Sequence, residues 1–241
     1  MMTTATRKKL QLHVSLEHDG DTESPFDNDV FSLCSLFSDG RGAMVEKIEE
    51  FSEAGRGEGR SWWWVSCYRH GGEHWFLEGE TPCGADHWDT TGKAGILYLD
   101  SGKADDVGPS LQEDAEGILE EYNRWCSGDC WLYSVKVEEE LHHEGLCPCC
   151  ETPDVNWYTT EVVGHDSCVG FIGLEYALEE LASVLKNFKE DHPDDHHRYE
   201  VVISGDQSGQ AYEGDVAEQV RKVGFRVVGD PEDESENCED R

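Results

Sequence analysis

HDSCVGFIGLEYALEELASVLKNF, His165–Phe188, holds the junction on which the fold turns. Its second part reads as a helix. Leu174, Leu178, Leu181, Leu185 and Phe188 recur at alternating gaps of four and three, which draws one unbroken apolar stripe along a 3.6-residue spiral. Its first part crowds an imidazole, a carboxylate, a hydroxyl and a thiol into His165–Cys168, then places Gly170 and Gly173 around Phe171. Two readings compete. Cys168 can be a nucleophile with His165 as its base, helped by the helix that follows. Alternatively, Asp166 or Ser167 bonds backbone amides in a turn, the glycines permit the bend and Phe171 packs. Cysteine is common as a small buried residue, so the reading favours a turn that launches the helix.

Working outward, TrpLeuTyrSerValLysVal from Trp131 alternates and sets Trp131, Tyr133, Val135 and Val137 on one face of a strand. The acid-rich EEELHHEGLCPCCETPD after it reads as a loop or short excursion, and WYTTEVV from Trp157 as another strand. Upstream, LQLHVSLEH from Leu10, VFSLCSLF from Val30, SWWWVSCY from Ser61 and AGILYL from Ala94 are strand-like, with a turn-rich stretch before Ala94. Met44, Ile48 and Phe51 share a helical face that ends at the breaker GRGEG. SLQEDAEGILEEYNRW from Ser110 is a helix, with Ser110 and Glu113 spaced for a capping box. RYEVVISG, DVAEQVRKVG and FRVV close the chain as strand, helix and strand.

The order predicts an α+β fold, a mixed or antiparallel sheet covered on one side by a few helices. Residues 1–9 are expected to be a flexible N-terminus and 10–189 the main domain. Residues 190–229 form a strand–helix–strand element that either closes the sheet or stands as a small appendage. Residues 230–241 form an acidic tail expected to be disordered.

Charge is the strongest compositional signal. Across 241 residues, 53 Asp and Glu face 19 Lys and Arg, a net of −34. The excess is spread along the chain, from −5 over residues 1–60 to −12 over 131–200. Such a surface repels nucleic acid and anionic lipid and attracts basic protein surfaces. Eight Trp, eight Tyr and eight Phe supply core side chains that a wholly disordered chain would lack. The start, MMTTATRKKLQLHV, has no apolar stretch after its basic residues, and no run is long enough to span a bilayer. A cytoplasmic protein is therefore expected, with its ten cysteines as thiols or metal ligands.

Several motifs carry a resemblance. SPFDND at Ser24, YRHGG at Tyr68, HWDTTGKAGILY at His87, EEYNRWCSGDCWLYSV at Glu120 and DSCVGFIG at Asp166 resemble a family of uncharacterised proteins of bacteriophages and mobile elements. The match covers roughly residues 10–185. Arg69 stands where that family has an acid, and its Trp-Asp-Ser-Gly is stretched here to WDTTG. The resemblance implies an origin and no chemistry.

The candidate sites follow from residue types. Cys168, His165, His70 and Asp89 would make a thiol- or zinc-dependent enzyme if they met in one cleft. Cys126-x3-Cys130 and Cys147-x2-Cys150 have the spacing of a structural zinc site, with His143 or Cys168 as other ligands. His192, His196 and His197 surround Pro193 and read as a solvated loop. Trp62, Trp63 and Trp64 read as a core strand with a partner-facing rim, since few bases accompany them. No phosphate loop, dinucleotide fingerprint, nucleophile elbow or metalloprotease helix occurs.

The favoured expectation is a non-enzymatic accessory protein that binds a basic protein, one specific form being mimicry of nucleic acid toward a nucleic-acid-binding protein. Duplex DNA carries about one negative charge per 1.7 Å of axis, and a carboxylate-studded surface presents a comparable field. The expected surface is Glu113, Asp114, Glu116, Glu120 and Glu121 on one helix, Glu175, Glu179 and Glu180 on another, and Glu138, Glu139 and Glu140 after the Trp131 strand. No direct nucleic-acid or membrane contact is expected. The other readings are the thiol or zinc enzyme and a halotolerant protein whose acids serve solubility.

Overall fold

β1, Thr4–His18, lies between two strands that come from the far half of the chain. The computed structural model describes residues 4–28, 30–54, 62–80, 88–99, 111–145, 155–191, 199–205 and 213–228. The chain divides into two units. One is split, Met1–Asp19 with Trp131–Arg241; the other is continuous, Gly20–Cys130.

In the split unit the sheet order is β7-β6-β1-β8-β9, with β6 at Cys130–Gly145, β7 at Val155–Ile172, β8 at Tyr199–Gly205 and β9 at Arg226–Val227. β1 runs antiparallel to β6, from Thr4 opposite Glu144 to His18 opposite Trp131, and parallel to β8, from Leu10 opposite Tyr199. The sheet is therefore mixed. Alternation decides which face is buried. Leu10, Leu12, Val14 and Leu16 of β1 join Trp131, Tyr133, Val135 and Val137 of β6 in one core. Helix α4, Leu174–Asp191, lays Ala177, Leu178, Leu181 and Leu185 on it, and α5, Glu213–Val223, adds Val216 and Val220. Leu181 and Leu185 are fully buried, so truncating either to Ala costs about 2–5 kcal/mol.

The continuous unit is an antiparallel sheet ordered β2-β5-β3-β4: β2 Phe31–Ser35, β3 Trp62–Arg69, β4 Glu73–Leu77 and β5 Thr90–Leu99. Among the described residues, three helices accompany it: α1 Pro25–Asn28, α2 Gly40–Ala54 and α3 Leu111–Cys126. Two cores form. Ala115, Ile118 and Leu119 of α3 pack with Phe31, Val65, Cys67, Trp75 and Leu97. Met44 and Phe51 of α2 pack with Cys34 and Ile96, and with the half-buried Trp62 and Trp64, while Trp63 joins the α3 core. Consecutive β5 residues Ile96 and Leu97 thus serve opposite cores, which is why AGILYL is apolar without alternation.

The α+β class stands, with four corrections. Among the described residues there are two sheets, and the second is covered on both faces. The N-terminus is strand from Thr4, inside the range read as flexible. EEELHHEG continues β6 to Gly145 where a loop was expected, because β1 offers it a partner along its length. HDSCVGFI is strand as well: β7 runs to Ile172, and the junction to α4 shrinks to Gly173, at φ 103°. The 199–227 strand–helix–strand element closes the first sheet through β8. Residues 1–3, Ser110, Cys147, Cys150, His192–His197 and the 230–241 tail lie outside the described residues. Among the described residues, no helix is long and apolar enough to cross a membrane.

Candidate functional site

In the split unit, β7 presents the Cys168 group along an exposed strand. Tyr133 donates its hydroxyl to Asp166 Oδ1 at 3.2 Å, and burial, then the Asp166 charge, push that phenol well above its ordinary range. Cys168 acts on the same phenol and so lies on that face. His165 lies on the other, with Nε2 3.3 Å from Ser134 Oγ. Pleating explains this: residues three apart in a strand point to opposite faces. The thiol and the imidazole are not brought together. The turn expected here is absent too. Asp166 accepts from a phenol, and the Gly170 amide donates to Asp19 Oδ2 at 2.9 Å, where Gly170 bends at φ 84°.

In the continuous unit, His70 and Asp89 do meet. His70 Nδ1 is 3.1 Å from Asp89 Oδ2, and the Arg69 amide donates to the Asp89 carbonyl at 2.9 Å. Two motifs quoted above, YRHGG and HWDTTG, thus join at one end of the β3–β5 pair, where Tyr68 faces Thr90. His70 is 73% exposed, and an ion pair so wet contributes at most about 1 kcal/mol. Arg69 binds Glu73 at 3.1 Å and covers the Phe37 ring at 4.4 Å. The pair ties the β3–β4 turn to the start of β5.

Among the described thiols of this unit, Cys34, Cys67 and Cys130 are buried and Cys126 is half-buried. Burial drives Cys67 up to about 12 and raises Cys34 and Cys126, the last offset in part by a hydrogen bond from Tyr122. A thiol held protonated is a poor nucleophile and must lose its proton to bind metal. Cys126 and Cys130 close α3 and open β6. Among the described residues, no group of three or more His, Cys, Asp or Glu is placed to hold a metal ion.

The acidic residues divide between the units. Glu113, Glu120 and Glu121 are exposed on α3, with Asp114 and Glu116 half-buried; Glu175, Glu179 and Glu180 are exposed on α4. Glu138, Glu139 and Glu140 lie within β6, half-buried, opposite Gln11, Leu10 and Lys9 in register. Glu138 sits against Lys136 and 3.3 Å from His13 Nε2, and the Lys136 hydrogen bond holds its carboxyl below the usual value. These three are therefore sheet residues, and Glu138 is already neutralised.

One acidic feature was not read in the sequence. α3 and the edge strand β4 flank a groove of about 460 Å³ lined by Glu73, Glu80, Glu116 and Glu120, with His74 and Arg124. Asn123 holds its floor: its amide donates to Trp75 O at 2.8 Å and accepts from Trp75 N–H at 2.7 Å. The signal for α3 was present in EEYNRW. The signal for its partner was not, because Trp75 lies 48 residues away. No family model, no curated protein and no solved structure matches the chain.

Proposed function

We propose that this is an acidic, non-enzymatic accessory protein of phage or mobile-element type, acting in the cytoplasm by binding a basic surface of another protein as a nucleic-acid mimic. The groove between α3 and β4 carries the reading. Four carboxylates line it, two of them in exposed ion pairs, Glu73 with Arg69 at 3.1 Å and Glu120 with Arg124 at 3.6 Å, and Glu113 and Glu121 stand exposed on the same helix. Lys or Arg side chains of a nucleic-acid-binding protein are the complement of that wall. The net −34 charge steers such a partner from a distance, and repels nucleic acid and anionic membranes alike. The role is anti-defence or regulatory, the partner being a defence or regulatory protein that binds nucleic acid. The phage-type origin rests on the motif resemblance alone.

The test is affinity capture from host lysate at low and high salt, with wild type beside the Glu116→Lys/Glu120→Lys variant. The expected result is capture of basic nucleic-acid-binding proteins that wash off as salt screens the charges, and their loss with the variant. Recovery of no such partner, or capture indifferent to the charge reversal, overturns the reading and leaves the halotolerant alternative. Structural zinc is a separate matter, read by metal analysis of the purified protein.

A further inference from the structure

β7 is an end strand of its sheet among the described residues, and it is 18 residues long. Long edges are normally blunted by Lys, Pro or short length, because their open N–H and C=O groups invite another strand. β7 has none of these protections: Val155–Ile172 contains no Lys, Arg or Pro. Among its exposed residues, most of them small and polar, it leaves three valines open, with Val162 53%, Val163 51% and Val169 65% exposed. In a chain with 53 acids it carries only Glu161 and Asp166, so it is a stretch where two copies can approach with little like-charge repulsion.

We propose that β7 pairs antiparallel with β7 of a second copy, across a two-fold axis at Val163, to join two sheets into one. Backbone groups on a strand edge face outward at every second residue. Residues paired across an isologous edge therefore share parity, and the axis falls on a residue. That restricts the charge pairs. His165 cannot stand opposite Asp166, because one position is odd and the other even. It can stand opposite Glu161, and the register that does this puts Val163 against itself. The pairing then occurs twice, Glu161 to the partner's His165 and the reverse. Val162 falls opposite Gly164, which leaves it room, and Thr160 opposite Asp166. An opposite-charge or hydrogen-bonded cross-strand pair stabilises its sheet, and like charges destabilise it.

The test is sedimentation of the purified protein, alone, at about 0.3 M salt, where self-repulsion is screened beyond a few ångströms. The expected result is a dimer of the 27.1 kDa chain. His165→Glu sets two carboxylates opposite one another, and Glu161→Lys removes the acceptor that faces His165; each weakens the dimer several-fold. The double variant Glu161→Lys/His165→Glu restores it, which no loss of folding can imitate. Wild type that stays monomeric at tens of micromolar overturns the proposal. So does a dimer that both single variants leave intact, since its interface is then elsewhere. Self-association tightens with salt whereas capture of a basic partner weakens, and it needs no lysate, so its failure and that of the proposed function are read separately.

Discussion

Asn123 treats Trp75 as a neighbouring strand would, filling both its amide N–H and its carbonyl, at 2.7 and 2.8 Å. A side-chain amide has the same donor and acceptor as a peptide unit. One helix residue therefore takes the place of a fifth strand beside β4 and locks α3 onto the sheet edge. Asn123→Ala strands both backbone groups and is expected to cost about 2–6 kcal/mol, at roughly 1–3 for each unsatisfied group. Urea unfolding followed by far-UV circular dichroism checks this; a midpoint unchanged from wild type contradicts it.

Two glycines make opposite predictions. A Cβ on Gly95 would lie 2.9 Å from the Cys34 carbonyl and 3.1 Å from Val65 Cγ2, since β5 is held between β2 and β3 there. Gly95→Ala is expected to destabilise by about 1–3 kcal/mol. Gly117 sits exposed inside α3 with nothing within 4 Å of such an atom. Gly117→Ala is expected to stabilise by up to about 1 kcal/mol, through helix propensity. Thermal melts of the two variants should move to either side of wild type.

Thiol reactivity should separate by depth. Cys168 is exposed, whereas Cys34 and Cys67 are buried. Alkylation of the native protein at neutral pH should modify Cys168 before Cys34 and Cys67, which react only as the unit opens. Peptide mass mapping over time reads the order. Cys67 also gives a pH window. Its folded value is raised from 9 to about 12, so it favours the folded state fully below pH 9 and progressively less as pH climbs towards 12. Cys67→Ala should flatten that alkaline decline.

Glu138 works in the opposite direction. Lys136 lowers its carboxyl from 4.5, so its contribution is present above that value and fades as pH falls through the depressed one. Lys136→Met removes the first cause. It should move the acid limb of a stability-against-pH curve to higher pH, as read by denaturant midpoints between neutral pH and the carboxylate range.

Much of the architecture was legible where burial leaves a period. The stripe Leu174, Leu178, Leu181, Leu185 and the alternation from Trp131 to Val137 each face a core, and each was readable without coordinates. Exposed strands leave no such trace. Most of β7 from Tyr158 to Gly170 is open to solvent, so His165–Gly173 looked like a turn of small polar residues. β4 is five residues at a sheet edge, with Trp75, Phe76 and Leu77 all buried in succession. Its stretch read as turns. The pairing of His70 with Asp89 and of Asn123 with Trp75 depends on which strands are neighbours, and spacing along the chain does not encode that.

The position of β1 has a consequence for synthesis. Both its neighbours, β6 and β8, leave the ribosome only after all of Gly20–Cys130. Leu10, Leu12, Val14 and Leu16 must therefore wait in the nascent chain with their apolar face unserved while the continuous unit is completed. A product of translation stopped near Cys130 would keep that unit and carry an orphaned, sticky leader, a ready substrate for chaperones and proteases.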